Sequence, residues 1–267
     1  MSWIIARRRR PAAGYAVVLL GLIAVGAIYA AFTAQGSPAS ASSPAASQRD
    51  TTLGRQIFVQ NCSSCHGFMA QGTNTGPSLI GVGAAAVDFQ VSTGRMPLKE
   101  IDAQAARKPP VLNPAQTREI AAYIASLGGG PAIPAASQVT TKGADVGLGQ
   151  QLFTSNCAQC HNFVGAGGAL TQGKYAPALT ASTPTQIYEA MLTGPEAMPV
   201  FNDSTITPSQ KRAIVAYVTQ TRAEPNPGGF SLGRVGPVTE GIVAWLGGIG
   251  ALVVAAWWIA AKRREQS

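Results

Sequence analysis

Two histidines and four cysteines are all that this chain of 267 residues contains, and they lie together in two short stretches. With no cysteine elsewhere, a disulfide framework is a poor account of the four. No glycine-rich phosphate loop, nucleophile elbow or carboxylate pair stands out, so the common nucleotide-dependent and hydrolytic chemistries have no signature here. Charge is sparse too, at 12% of residues. The net charge of +8 looks like a nucleic-acid footprint only until it is placed along the chain. Arg7 to Arg10 hold four of those charges, Lys262, Arg263 and Arg264 net of Glu265 hold two more, and +2 is left for everything between. So small a surplus gives no reason to expect a nucleic-acid partner.

What is present is a duplicated motif. Cys62-Ser63-Ser64-Cys65-His66 recurs as Cys157-Ala158-Gln159-Cys160-His161. Cysteines at this spacing stand about one helical turn apart, so both thiols can add to one porphyrin edge while the adjoining histidine reaches the iron. The expected cofactors are two covalently bound haem c groups, with His66 and His161 as iron ligands. Zinc and a thioredoxin-like redox pair are the alternatives. Zinc wants four Cys/His ligands and each cluster offers three; pooling the clusters leaves two ligands spare and does not explain why histidine twice follows the second cysteine.

A sixth ligand for each iron cannot be histidine, because both are used, and methionine is the remaining soft donor of an electron-transfer cytochrome. Met1 is the initiator. Met69 follows His66 too closely to pass to the opposite face of a macrocycle, and Met191 lies in a helical run; both are expected to pack. Met96 and Met198 occupy matching settings, Thr93-Gly94-Arg95-Met96-Pro97 and Thr193-Gly194 followed by Met198-Pro199. They are the expected axial ligands, with a core-filling methionine as the plainer alternative.

That correspondence belongs to an internal repeat. Gly54, Gln56, Phe58 and Asn61 lead into the first motif as Gly149, Gln151, Phe153 and Asn156 lead into the second. Pro77-Ser78-Leu79 answers to Pro177-Ala178-Leu179, and residues 114–123 match residues 208–217. Each copy has roughly 75–80 residues, near the lower limit for a self-sufficient apolar core; a buried macrocycle would add what the chain lacks. Ile57, Phe58, Cys62 and Cys65 fall at helical spacing, as do Ile120, Tyr123, Ile124 and Leu127. Pro114 and Pro208 follow Asn113 and Thr207, a helix-start pattern. The coarse expectation for each copy is a helix running into the motif, a loop-rich middle and a final helix crossing the first.

The ends of the chain are apolar. Residues 14–34 are long enough to cross a bilayer core, and Arg7 to Arg10 place their leading end in the cytoplasm. Residues 241–261 end at Lys262-Arg263-Arg264, which places the C-terminus on the same side. Both haem-bearing copies then lie on the extracytoplasmic side of the cell membrane. The first run serves either as a retained anchor or as a cleaved signal. The expected organisation is a basic segment with an N-terminal membrane helix (1–36), a flexible linker (37–49), a first domain (50–128), a linker (129–142), a second domain (143–222), a linker (223–237), a C-terminal membrane helix (238–262) and a basic tail (263–267). Gly247, Gly248, Gly250 and Ala251 offer a small-residue surface to another membrane helix.

The two copies resemble class I cytochrome c. The resemblance implies an all-α fold of two tandem cytochrome c domains with transmembrane helices at the N- and C-terminal ends. It further implies packing of Gly54 and Phe58 against Tyr123, packing of Gly149 and Phe153 against Tyr217, and proline carbonyls of Pro77 and Pro177 on the free nitrogens of His66 and His161.

Nearly the whole chain is also similar to the dihaem cytochrome c subunit of the actinobacterial cytochrome bc1 complex. The similarity runs through Gly76-Pro77-Ser78-Leu79-Ile80-Gly81-Val82-Gly83, Phe89-Gln90-Val91-Ser92-Thr93-Gly94-Arg95-Met96-Pro97, Gly173-Lys174-Tyr175-Ala176-Pro177 and Met191-Leu192-Thr193-Gly194-Pro195. It implies a non-catalytic electron carrier within a menaquinol-oxidising complex, partnered by a cytochrome b subunit, a Rieske iron-sulfur subunit and an aa3-type oxidase. The implied direction is from the iron-sulfur subunit to the first haem, then the second, then the oxidase. A dihaem subunit of another oxidase or dehydrogenase, cbb3-type among them, is the alternative. A dihaem peroxidase would need an open iron or a bis-histidine haem, and two histidines cannot supply the latter.

Overall fold

The computed structural model describes residues 11–33, 44–100, 102–224 and 237–264. Arg7 to Arg10, most of the 37–49 and 223–237 linkers and the last residues of the basic tail lie outside them. The chain divides after Ala46. The first unit holds helix α1 (Pro11–Thr33), whose described apolar run is Gly14–Ile28, with exposed side chains.

The second unit begins within helix α2 (Pro44–Asn61), which breaks at Cys62 and resumes as the single turn α3 (Ser63–His66). Then come α4 (Gly83–Ser92), α5 (Pro114–Ser126) and a short turn α6 (Ala136–Val139). The pattern repeats with α7 (Val146–Asn156), a break at Cys157 and the turn α8 (Ala158–His161). A two-residue antiparallel pair, β1 (Gly168–Ala169) with β2 (Tyr175–Ala176), precedes α9 (Pro184–Thr193) and α10 (Pro208–Ala223). The last helix is α11 (Pro237–Arg264).

Three helix starts share one device. Asn113, Thr183 and Thr207 each precede a proline at the first helical position and a glutamine two residues further on. The cap side chain accepts from the backbone of that glutamine, whose own side chain accepts from the cap N–H at 3.0, 3.1 and 2.8 Å respectively. Two otherwise orphaned donors are satisfied at each start, and proline gives up nothing because its missing N–H would have had no partner.

Two hydrophobic clusters form. The first joins Phe58, Val87, Val91, Ile120, Tyr123 and Ile124, with Cys62, Leu79 and Met96 partly buried against it. The second joins Phe153, Ile187, Tyr188, Met191, Ile214 and Val218, with Leu179, Met198 and Phe201 against it. In each, the final helix crosses the motif-bearing helix at a glycine. A Cβ on Gly54 would stand 1.9 Å from the Glu119 carbonyl oxygen, and one on Gly149 would stand 2.1 Å from that of Ala213. No larger residue fits either crossing. The closeness lets Phe58 meet Tyr123 with ring centroids 5.5 Å apart and Phe153 meet Tyr217 at 5.3 Å, both tilted, an arrangement favoured by the ring quadrupoles.

Segment 129–142 touches both clusters: Ile133 packs on the first and Val139 on the second, and Gln138 donates to the Tyr188 hydroxyl at 3.3 Å. The halves also meet through side chains. Gln104 bonds Tyr175 in both directions, Nε2 to the carbonyl and the amide N–H to Oε1, each at 2.9 Å. Arg107 donates to the Ala181 carbonyl at 2.8 Å, and Gln186 donates to Ser92 at 3.0 Å. Helix α9 packs on α4 at this seam.

Among the described residues one helix is long and apolar enough to cross a membrane. Its span, Gly241–Lys262, has a mean hydropathy of 2.1. Trp245, Trp257 and Trp258 are exposed on it, and, the helix's own backbone aside, no atom of the described residues lies within 4 Å of where a side chain on Gly247, Gly248 or Gly250 would begin.

Candidate functional site

The break in each motif-bearing helix sets the site. Cys62 and Cys157 have nearly the same backbone, φ −126°, ψ −28° and φ −120°, ψ −33°. The chain then makes one more turn, in which His66 N–H bonds the Cys62 carbonyl at 3.0 Å and His161 N–H bonds that of Cys157 at 2.9 Å. First cysteine and histidine are thereby held one turn apart, with the second cysteine on the solvent side: Cys65 and Cys160 are exposed, Cys62 is half-buried and Cys157 is buried.

Each histidine ring is fixed from behind. His66 Nδ1 lies 2.7 Å from the Pro77 carbonyl oxygen and His161 Nδ1 lies 3.0 Å from that of Pro177. A carbonyl can only accept, so Nδ1 carries the proton and Nε2 keeps its lone pair for a metal. Burial pushes the His161 pKa down, against the opposing pull of the Pro177 carbonyl, which favours the neutral ring that ligation needs. Desolvation first, then the neighbouring cysteine, pushes Cys62 and Cys157 each up to about 11. Both remain thiols at neutral pH. A thioredoxin-like pair needs the opposite, a lowered thiol pKa, whereas addition to a porphyrin edge consumes the thiol.

In the second half Cys157, Cys160, His161, Pro177 and Met198 all line one cavity, whose other walls include Phe153, Ile187, Met191, Ile214 and Val218. Two thiols, one imidazole, one thioether and an apolar lining fit a haem c group. In the first half Cys62 and Met96 pack on one cluster, and His66 is buried. Met191 is 2% exposed and packs in the second cluster, but Met69, expected to pack, is 59% exposed. The turn after His66 carries it outward, where Phe68 is exposed as well.

Sequence reasoning missed the support of Met96. Lys108 donates its ammonium to the carbonyls of Gly94, Arg95 and Pro97, the last two at 3.0 and 2.7 Å, and so brackets the methionine from both sides. A lysine in an irregular loop carries no signal of that role. The corresponding loop of the second half closes differently: Met198 N–H bonds the Pro195 carbonyl at 3.0 Å, and Phe201 N–H bonds that of Met191 at 2.8 Å.

Comparison with known proteins agrees with the two-site geometry. Residues 51–128 match the family described as Cytochrome c, and residues 144–218 match Cytochrome C oxidase, cbb3-type, subunit III. The chain is 43% identical to the cytochrome bc1 complex cytochrome c subunit of Corynebacterium diphtheriae, over 95% of each. It belongs to that family of subunits. The bc1 complex cytochrome c subunit of Mycobacterium tuberculosis strain H37Rv is 44% identical over 96% of this chain and 93% of its own length. A more remote relative, the cbb3-type cytochrome c oxidase subunit FixP of Bradyrhizobium diazoefficiens, is 27% identical over 62% of this chain and 59% of its own length. Among bc1 complex cytochrome c subunits, then, this chain supplies two cysteine-histidine sites in one polypeptide with a membrane-length helix behind them.

Proposed function

We propose that residues 50–128 and 143–222 are two class I cytochrome c domains, each carrying one covalent haem c, with Met96 and Met198 as the iron ligands opposite His66 and His161. The observation that carries this reading is the imidazole held by a proline carbonyl behind each Cys-x-x-Cys-His turn, at 2.7 and 3.0 Å. The chain is an electron-carrying cytochrome c subunit of a bc1-type respiratory complex, a quinol:cytochrome c oxidoreductase. Haem iron, when bound, supplies single-electron exchange between ferric and ferrous states. The polypeptide does the rest. The proline carbonyls fix the ring orientation and basicity of His66 and His161, Lys108 holds the Met96 loop, and the apolar walls around His161 keep water away.

In this reading electrons enter from the Rieske iron-sulfur subunit, pass through the first half and then the second, and leave toward an aa3-type oxidase. Helix α11 lies in the cell membrane beside cytochrome b, with the C-terminus cytoplasmic and both cysteine-histidine sites extracytoplasmic. Helix α1 is a second membrane anchor. A cbb3-type oxidase as the acceptor is favoured by one observation, the match of residues 144–218 to subunit III of such oxidases.

The haem count tests the reading. Cys62→Ala with Cys65→Ala is expected to halve the covalent haem per chain in a pyridine haemochrome assay. Two haems retained in that variant would overturn the assignment of one haem to each motif.

A further inference from the structure

Arg95 adjoins Met96 in the first half, yet its side chain serves the other half. It is 6% exposed, and with Phe89 and Gln104 it lines the cavity that contains His161, Cys160 and Met198. Its guanidinium carbon lies 4.9 Å from the centre of the Phe89 ring. Its Nη1 is buried and has no hydrogen-bond partner among the described residues. Burial works most against its charge, Arg107 repels it, and Tyr175 and Glu196 attract it. Glu196 is exposed and accepts the Ala105 N–H at 3.1 Å, and no ion pair joins it to Arg95 among the described residues.

A guanidinium cannot shed its charge, and a buried charge persists only where something pairs with it. Here the polypeptide supplies a ring face on one side and no acceptor for Nη1, on a residue that lines the cavity. Glu196 also lines that cavity but forms no ion pair with Arg95, so a further anion with oxygen acceptors inside the cavity would complete the pairing. A haem c group carries two such anions, its propionate carboxylates, and guanidinium recognises a carboxylate through paired N–H donors.

We propose that Arg95, contributed by the first half, binds a propionate carboxylate of the haem held by the second half. The inference rests on the haem reading of His161 and its cysteines. It makes residues 95 and 96 a two-way link: the methionine serves one site and the arginine beside it serves the other. Lys108, which grips the carbonyl of Arg95 at 3.0 Å, braces both. A cation at that position favours the reduced state of the second site and raises its potential.

The test is an equilibrium redox titration of the full chain in its purified complex, with covalent haem counted in parallel. Met198→Ala first identifies which of the two potentials belongs to the second half. Arg95→Gln is expected to keep two haems per chain and to lower that potential, moving the other one less. Arg95→Lys keeps the charge without the fork, and is expected to shift the same potential in the same direction by a smaller amount. Should Arg95→Gln fail to assemble, the lysine variant carries the test alone. Two haems present with the second potential unmoved overturns the inference, as does a shift confined to the first. A wild-type chain with no covalent haem overturns the inference and the reading beneath it together, and is distinguished by the haem count before any substitution is made.

Discussion

The two halves share a frame and differ in what they attach to it. Both cross their helices at a glycine, both tilt a phenylalanine against a tyrosine, and both hold a histidine by a proline carbonyl. They part in the loop between histidine and proline, where the second half is longer and folds β1 against β2. That extra hairpin is the part Gln104 grips from the first half. The first half elaborates a different place, the loop after Met96, and from it come Gln104, Arg107 and Lys108. The repeated frame thus builds the sites and, through α9 on α4, part of the contact between the halves; the unrepeated loops add the rest of that contact.

The comparison breaks most visibly at the methionines. Met96→Ala and Met198→Ala are each expected to leave haem attached, to remove the weak Met-to-iron absorption at the red end of the spectrum and to lower the potential of that half. The fall should be on the order of 100 mV, part of the roughly 0.8 V over which axial ligation ranges. A redox titration in which either variant keeps both wild-type potentials would remove that methionine from the ligand set.

A smaller effect sharpens the shared frame. Gly54→Ala and Gly149→Ala each force a methyl group into a backbone carbonyl, and each should cost about 3 kcal/mol, the upper end for overpacking. Thermal unfolding of the two variants side by side is the measurement. A neutral result in one half alone would mean that the crossings are not equivalent.

The smallest expected effect concerns the seam. Glu189 on α9 is fully buried, and burial first, then the charge of Asp88 on α4, pushes its carboxyl from 4.5 up to about 10. It is therefore protonated at neutral pH. Because the folded pKa lies above the unfolded one, its stabilising contribution is complete below about pH 4.5 and is lost as pH rises through about 10. Glu189→Gln keeps the shape without the proton, so it should raise stability at pH 7 by about 1–3 kcal/mol and flatten the decline across that window. Denaturant unfolding at several pH values checks this; an unchanged slope would mean that Glu189 ionises freely in the folded chain.

The frame was legible because its signals are local or repeated. The two motifs stand in the open, Asn113-Pro114 and Thr207-Pro208 announce helix starts, and the close approaches at Gly54 and Gly149 followed from the resemblance to class I cytochrome c. The seam was not legible. Gln104 and Tyr175 are far apart in sequence, and a two-residue strand leaves no alternating pattern to detect. Arg95 was visible only as part of the setting of Met96, since an arginine beside a candidate ligand gives no hint that its side chain crosses to the other half. The repeat also misled in one respect: it shows what is common, and Lys108 has no counterpart that would draw attention to it.

The seam has a kinetic corollary. A carrier that shuttles between partners by diffusion obeys second-order kinetics, and dilution or added salt slows it by parting the pair. Gln104, Arg107 and Gln186 join the two cores of this chain by hydrogen bonds within one polypeptide. Passage from one core to the other is then a first-order event, indifferent to how concentrated the protein is. On the dihaem reading proposed above, its rate depends on the gap between the cores, which those three side chains hold together with the packing of α9 on α4.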